Sequence, residues 1–266
     1  MRLKVIHKTS YHYDEPVDYA LQQLRLTPKN TLGQAIIHWQ TDIEGGRREA
    51  VYTDHHNNHV ELISLGPDAR DILITSHGEV DITINDGIVG PHLGVAPLWL
   101  FLRQTPLTKP GSSIMKLLQK IPASTTDDVG YLHDLSAAIH KNVVYKTGAT
   151  DAMTSAEAAF RGGAGVCQDH AHIFIGAARA MRYPARYVSG YLMMNERVDQ
   201  EASHAWAEVF VENIGWVGFD VSNAISPDER YIRVATGLDY QEAAPVSGMR
   251  YGNSNENMIV SLQVQQ

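Results

Sequence analysis

The chain has 266 residues, with 22 Lys+Arg against 30 Asp+Glu, 44% hydrophobic residues and a single cysteine. That is an ordinary globular composition, enough for one large domain or two of middling size with a core that needs no staples. One cysteine excludes an intrachain disulfide framework, and the acidic balance argues against a general nucleic-acid binder. The longest apolar run, Val95 to Leu102, contains Pro97 and is too short to span a bilayer. The opening MRLKVIHKTSYHY is polar every few residues and carries no signal-peptide apolar stretch. A cytoplasmic protein with no nucleic-acid or membrane partner is expected. Protonating all thirteen histidines would move the net charge from −8 to +5, so solubility should respond to mildly acidic pH.

The first ~95 residues read as β structure, on the signals of alternation and β-branched or aromatic content. Leu3/Val5, Tyr11/Tyr13, Ala35/Ile37/Trp39, Ile72/Ile74 and Val80/Ile82/Ile84 alternate with polar residues. Turn signals recur at Pro28-Lys29-Asn30, Gly45-Gly46, Gly66-Pro67-Asp68 and Asn85-Asp86-Gly87. An antiparallel sandwich or barrel-like sheet follows. From Ser112 the period changes to helical, with Ile114, Leu117, Leu118 and Ile121, then Leu132, Leu135, Ile139 and Val143. The expected organisation is a β-rich region over 1–106, a connecting segment over 107–129 containing Pro110 and Gly111, and a second domain over 130–266.

Thr154 and Glu157 fit a capping box ahead of a short helix that Gly162 and Gly163 stop. Cys167 to about Met181 is almost uniformly apolar or small, which predicts a buried helix ended by Pro184. Arg186 to Leu192 reads as a strand. A polar loop over 195–201 leads to a hairpin whose strands are His204 to Val211 and Trp216 to Val221, joined by Asn213-Ile214-Gly215.

The lone cysteine follows Gly-Gly-Ala-Gly at the start of the buried helix. Unpaired N–H groups and the helix dipole there favour an anion, and the same N–H groups suit an oxyanion. A thiol nucleophile also needs a base and an orienting partner. On the hairpin, His204 and Asp220 share a face if the turn centres near Glu212, and they then lie side by side. Cys167 is the expected nucleophile, His204 the acid and base, and Asp220 the carboxylate that orients the imidazole. Singly, each residue reads as structural: an inert buried thiol, a core histidine, a strand-end carboxylate. The three together, each in a suitable context, reverse that reading. Glu208 is a rival orienter on the same strand face and ranks below Asp220. Trp206, Tyr191 and Trp216 are candidate cleft walls, with core packing the competing reading for each. Gln168 is a candidate for positioning substrate, and Asp169 for capping helix N–H groups.

His55, His56 and His59 lie in the turn from Asp54 to Asn58. They read as a solvated hairpin tip rather than a zinc site, because no fourth ligand is evident and adjacent residues rarely converge. His170 and His172 are two apart on a helix and point in different directions. Phosphate-loop and dinucleotide signatures are absent from the sequence.

Gly-x-Gly-Val-Cys-Gln-Asp-His-Ala-His at 163–172, Pro-Ala-Arg-Tyr-Val-Ser-Gly-Tyr-Leu at 184–192, Ser-His-Ala-Trp-Ala-Glu-Val at 203–209 and Gly-Trp-Val-Gly-Phe-Asp at 215–220 resemble the bacterial transglutaminase-like superfamily. Lys-Thr-Ser-Tyr-His-Tyr-Asp-Glu-Pro-Val at 8–17 and Leu-Arg-Leu-Thr-Pro at 24–28 resemble the β-rich region that precedes such cores. After the aspartate, Val221-Ser222-Asn223 replaces the Pro-Thr-Asn of many relatives. The resemblance implies an α+β fold: a papain-like core with the cysteine helix packed on an antiparallel sheet, behind an antiparallel N-terminal domain. It also implies a Cys-His-Asp triad at Cys167, His204 and Asp220, acting on a peptide, protein or small amide. No cofactor or metal is expected. Cross-linking enzymes, proteases, amidases and inactive scaffolds share the core, so the family alone does not choose the reaction.

Overall fold

In the computed structural model, residues 1–17, 19–66, 69–121, 127–194, 197–251 and 256–266 are described. Pro67 and Asp68 of the expected turn, residues 122–126 of the expected connection, and Asn195 and Glu196 of the polar loop lie outside them. The fold is α+β, mostly antiparallel, as expected.

The N-terminal region contributes β1 (Arg2–Val17), β2 (Tyr19–Leu24), β3 (Gln34–Glu44), β4 (Arg47–Thr53), β5 (His59–Leu65), β6 (Ala69–Ile82) and β7 (Ile88–Gly90). Alternation in β1 does what the sequence says: Leu3, Val5, Tyr11 and Tyr13 are all buried. Because one face of this long strand is buried from end to end, apolar at both ends with His7 and Thr9 between, it serves two cores. Its C-terminal half, with Ile72 and Ile74 of β6, packs on Leu24, Ile63 and Leu65 of the second sheet. Its N-terminal half, with Val80 and Ile82, packs on Tyr191, Ile232 and Val234 of the C-terminal half of the chain. The alternation in β3 misleads. A bulge between Ile36 and His38 breaks the register, leaving Ile37 exposed and Trp39 half-buried with its Nε1 donating to Ser76 Oγ at 2.8 Å.

Next come α1 (Ser112–Leu118), α2 (Asp128–Asn142), β8 (Val144–Tyr145), α3 (Ala156–Gly162), β9 (Ala164–Gly165), α4 (Cys167–Ala180), β10 (Ala185–Leu192), β11 (Asp199–Gln200), β12 (His204–Val211), β13 (Gly215–Phe219), β14 (Tyr231–Gly237), α5 (Tyr240–Ala243), β15 (Val246–Tyr251) and β16 (Glu256–Gln265). The capping box expected at Thr154 does not form. Ser155 caps α3, accepting from Ala158 N–H at 3.3 Å, while Glu157 reaches back to the N–H groups of Gly111, Ser113 and Ile114 and caps α1 instead.

One five-stranded sheet runs β14-β10-β12-β13-β7, and α4 packs against it through Ile173, Phe174, Ala177 and Ala178. The other sheets are β11-β16-β1-β6-β3, β15-β2-β5-β4 and the parallel pair β8-β9. Strand pairing therefore crosses the 1–106 / 130–266 division at both ends. β7 joins the core sheet beside β13, while β15 and β16 return to pair with β2 and β1. Among the described residues no helix is long and apolar enough to cross a membrane.

Candidate active site

Cys167 is the first residue of α4, delivered there by a braced loop. Gly163 closes α3 in the left-handed conformation (φ +65°), which glycine adopts without cost. Gly165 leaves room for Asp169: a Cβ at this position would lie 2.7 Å from both Cβ and Oδ2 of that aspartate. Asp169 Oδ2 accepts from Val166 N–H at 2.8 Å and from Thr150 Oγ1 at 2.6 Å, so it caps the helix start as expected. Burial nevertheless pushes its carboxyl above the usual range, against those hydrogen bonds. His170 turns the other way and sits 2.9 Å from the Val143 carbonyl, tying the first turn of α4 to the end of α2. His172 points to the Tyr240 N–H, 3.1 Å from its Nε2, and burial lowers it to about 3. Val166 at the N-cap offers no side-chain acceptor to the first-turn N–H groups.

His204 opens β12. Its Nε2 lies 2.6 Å from Asp220 Oδ2, and it lines the same cleft as Cys167. Burial disfavours charge on this imidazole, but Asp220 and the neighbouring Cys167 sulfur prevail and raise it to about 10. Asp220 is fully buried just beyond β13. Besides His204 it accepts from Tyr231 Oη at 2.7 Å, from Asn223 Nδ2 at 2.7 Å and from Asn223 N–H at 3.2 Å. Burial alone would raise its carboxyl; the His204 bond and these donors hold it below the usual carboxylate range.

The hairpin register differs from the expected one by two residues. Val209 pairs with Val217 and Glu208 with Gly218, which centres the turn on Asn213 rather than Glu212. Three residues separate the closing pair Val211 and Gly215, so parity is kept. His204 and Asp220 remain on one face and meet diagonally.

A cleft of about 330 Å³ opens over Cys167 and His204, lined also by Tyr145, Gln168, Tyr187, Ser189, Arg197 and Tyr240. Gln168 is there as expected, its Nε2 donating to the Ala152 carbonyl at 3.2 Å. The three aromatic candidates are elsewhere. Trp206 is buried beside His204, ring centroids 6.2 Å apart, and supports the imidazole from the flank. Tyr191 faces the N-terminal sheet, with its hydroxyl 3.0 Å from His7 Nδ1 and its ring stacked on Trp39. Trp216 packs on Phe101 and Phe210 beneath the Arg186 guanidinium, 3.7 Å away. Strand alternation fixes the face of an aromatic residue but not which neighbouring layer fills it. Glu208, the rival orienter, is held by Arg186 at 2.6 Å and Arg233 at 2.7 Å. Those two cations keep it near 2 against the opposing effect of burial.

The residues that sequence reasoning missed are Tyr231 and Asn223 on the aspartate, and Tyr145, Tyr187, Ser189, Arg197 and Tyr240 in the cleft. Asn223 had a local signal, since a polar residue three positions after an aspartate suits a turn. The cleft residues come from four separate segments and had none.

The hairpin tip from Asp54 to Asn58 is not solvated. His56 and Asn58 are buried, and Asn58 exchanges hydrogen bonds with Thr236 of β14 at 2.7 and 2.9 Å. The tip is thus docked on the C-terminal half of the chain, and His56 meets Glu242 of α5 at 2.7 Å.

A buried helix that starts on a cysteine, beside a His–Asp pair borne on the two arms of an adjacent antiparallel hairpin, is an arrangement of the papain-like fold class. Comparison supplies the family. Residues 115–221 match the transglutaminase-like superfamily, and residues 3–81 match the bacterial transglutaminase-like N-terminal region. The chain is a transglutaminase-like superfamily protein carrying that N-terminal region. It is 29% identical to an uncharacterised protein of Mycobacterium tuberculosis over 291 aligned residues, covering 99% of this chain and 91% of the relative. An uncharacterised protein of Mycobacterium leprae is 25% identical, with 99% and 98% covered. Among solved structures, a candidate cysteine protease from Cytophaga hutchinsonii shares the fold, with a TM-score of 0.78, 22% identity, and 100% of this chain and 91% of that one covered.

Proposed function

We propose that the protein is a cysteine-dependent hydrolase of a peptide or amide bond, working through a thioester with Cys167, His204 and Asp220. The observation that carries this reading is the His204 ring, which shares one cleft with Cys167 and lies 2.6 Å from a carboxylate that three further hydrogen bonds hold in place.

The steps follow from the geometry. Cys167 gives its proton to His204, and the sulfur attacks the substrate carbonyl carbon. The C=O π pair moves to oxygen, forming an oxyanion that the uncapped N–H groups of Cys167 and Gln168 face. The C–N bond breaks as His204 protonates the departing amine, leaving a thioester on Cys167. His204 then takes a proton from water, the hydroxyl oxygen bonds the acyl carbon, and the sulfur leaves. Asp220 keeps its charge throughout and fixes the ring. In this reading the bond to be cut enters the cleft over Cys167, which Tyr145, Tyr187 and Tyr240 also line.

Iodoacetamide at neutral pH tests the site. Cys167 should be alkylated much faster than in denatured protein, and His204→Ala should slow the reaction at least roughly tenfold. Labelling no faster than the denatured control would leave a binding module on the same fold. Incubating a glutamine-containing peptide with a primary amine then distinguishes the reactions by mass: cleavage or deamidation for hydrolysis, amine incorporation for transamidation.

A further inference from the structure

We propose that His55, His56 and Glu242 form a binding site for a first-row transition-metal cation of the zinc class, clamping the β4–β5 hairpin tip to α5. This site is distinct from the Cys167 cleft, and the inference does not rest on the proposed reaction.

The hairpin tip explains why two adjacent histidines converge here. Asn57 takes a left-handed conformation (φ +61°), and its N–H donates to the Asp54 carbonyl at 2.9 Å. The Asp54 side chain accepts from the N–H groups of His56 and Asn58 at 2.9 and 2.8 Å. The tight turn brings the two imidazoles together, with ring centroids 4.1 Å apart. The third donor is 186 residues away in sequence. Glu242 Oε2 accepts from Leu238 N–H at 2.7 Å and lies 2.7 Å from His56 Nε2. One ring nitrogen of each histidine and one Glu242 oxygen all fall within 4.8 Å of one another.

The chemistry selects the ion. Two imidazole nitrogens and one carboxylate oxygen suit Zn²⁺, Cu²⁺ or Ni²⁺, whereas Ca²⁺ and Mg²⁺ require oxygen shells. Three protein donors leave a coordination position for water. Access is provided by His55, which is exposed, while the His56 side chain is only 1% exposed and anchors the inner side. The other nitrogen of His56, Nδ1, is buried with no hydrogen-bond partner among the described residues. One polar ring contact, to Glu242, therefore holds this imidazole and leaves it half-satisfied, and a cation at Nε2 competes only with the proton bridging it to Glu242. Two ligands at about 2.0–2.1 Å from zinc sit about 3.3 Å apart, so the 2.7 Å gap must open by roughly half an ångström.

The test uses the whole chain carrying Cys167→Ser, which removes the sulfur as a competing ligand. Zinc chloride is titrated by calorimetry and by thermal unfolding, with excess Mg²⁺ present. One zinc per chain should bind and raise the melting temperature. His55→Ala and Glu242→Gln should each weaken binding at least roughly tenfold. His55 is exposed, so loss of the fold would not account for its effect; circular dichroism verifies both variants. No zinc binding, equal affinity in the His55→Ala and Glu242→Gln proteins, or full displacement by Mg²⁺ would each overturn the proposal.

Discussion

His204 couples the site to the pH dependence of folding. In the unfolded chain its imidazole titrates near 6.5; in the folded protein it is raised to about 10, because Asp220 and the neighbouring Cys167 sulfur outweigh burial. A group raised on folding contributes stability that is fully present below its unfolded value and is lost as pH rises through its folded one. The window therefore runs from 6.5 to about 10. Inside it, each tenfold fall in proton concentration removes up to ~1.4 kcal/mol, so the ceiling across the window is roughly 5 kcal/mol. That is comparable with the whole stability of a marginal domain. Urea unfolding at the two ends of the window, for wild type and for His204→Gln, measures it. Wild type should lose at least ~2 kcal/mol more than the variant between those ends. Parallel losses in the two proteins would refute the claim that the folded protein holds the imidazolium.

Two further substitutions probe the scaffold. Gly165→Ala sets a Cβ 2.7 Å from Asp169, so it should cost ~1–3 kcal/mol and slow iodoacetamide labelling of Cys167; normal melting with normal labelling would remove the brace from the account. Glu208→Gln leaves Arg186 and Arg233 buried around a neutral amide and should cost ~3–5 kcal/mol in urea unfolding, whereas a loss under ~1 kcal/mol would mean the two cations find other relief.

Much of the candidate site was legible because Cys167, His204 and Asp220 each sit in a local pattern. The glycine run and the apolar helix behind Cys167 are contiguous in sequence, and the hairpin parity survived a register shift of two residues because an odd loop preserves faces. What was illegible is long-range. Nothing near Tyr231 says that its hydroxyl will meet Asp220, and nothing near Glu242 says that it will face His56. The alternation through Ile37 failed because a bulge reverses faces without any local signature. The caps at Ser155 and Glu157 show a smaller version of the same limit: the residue types were right, but the carboxylate served a different helix. The Arg2–Val17 strand was visible as a strand, yet its division between two cores depends on what packs above each half.

The rim of the cleft is sewn rather than draped. Gln200 lines it and belongs to β11, whose Asp199 and Gln200 pair with Gln263 and Leu262 of β16. β16 in turn runs along β1 from Lys4↔Gln265 to Tyr13↔Glu256. The mouth over Cys167 thus inherits its shape from a ribbon some sixty residues downstream, and fraying that ribbon would loosen the cleft while leaving Cys167 and the His204 imidazole untouched.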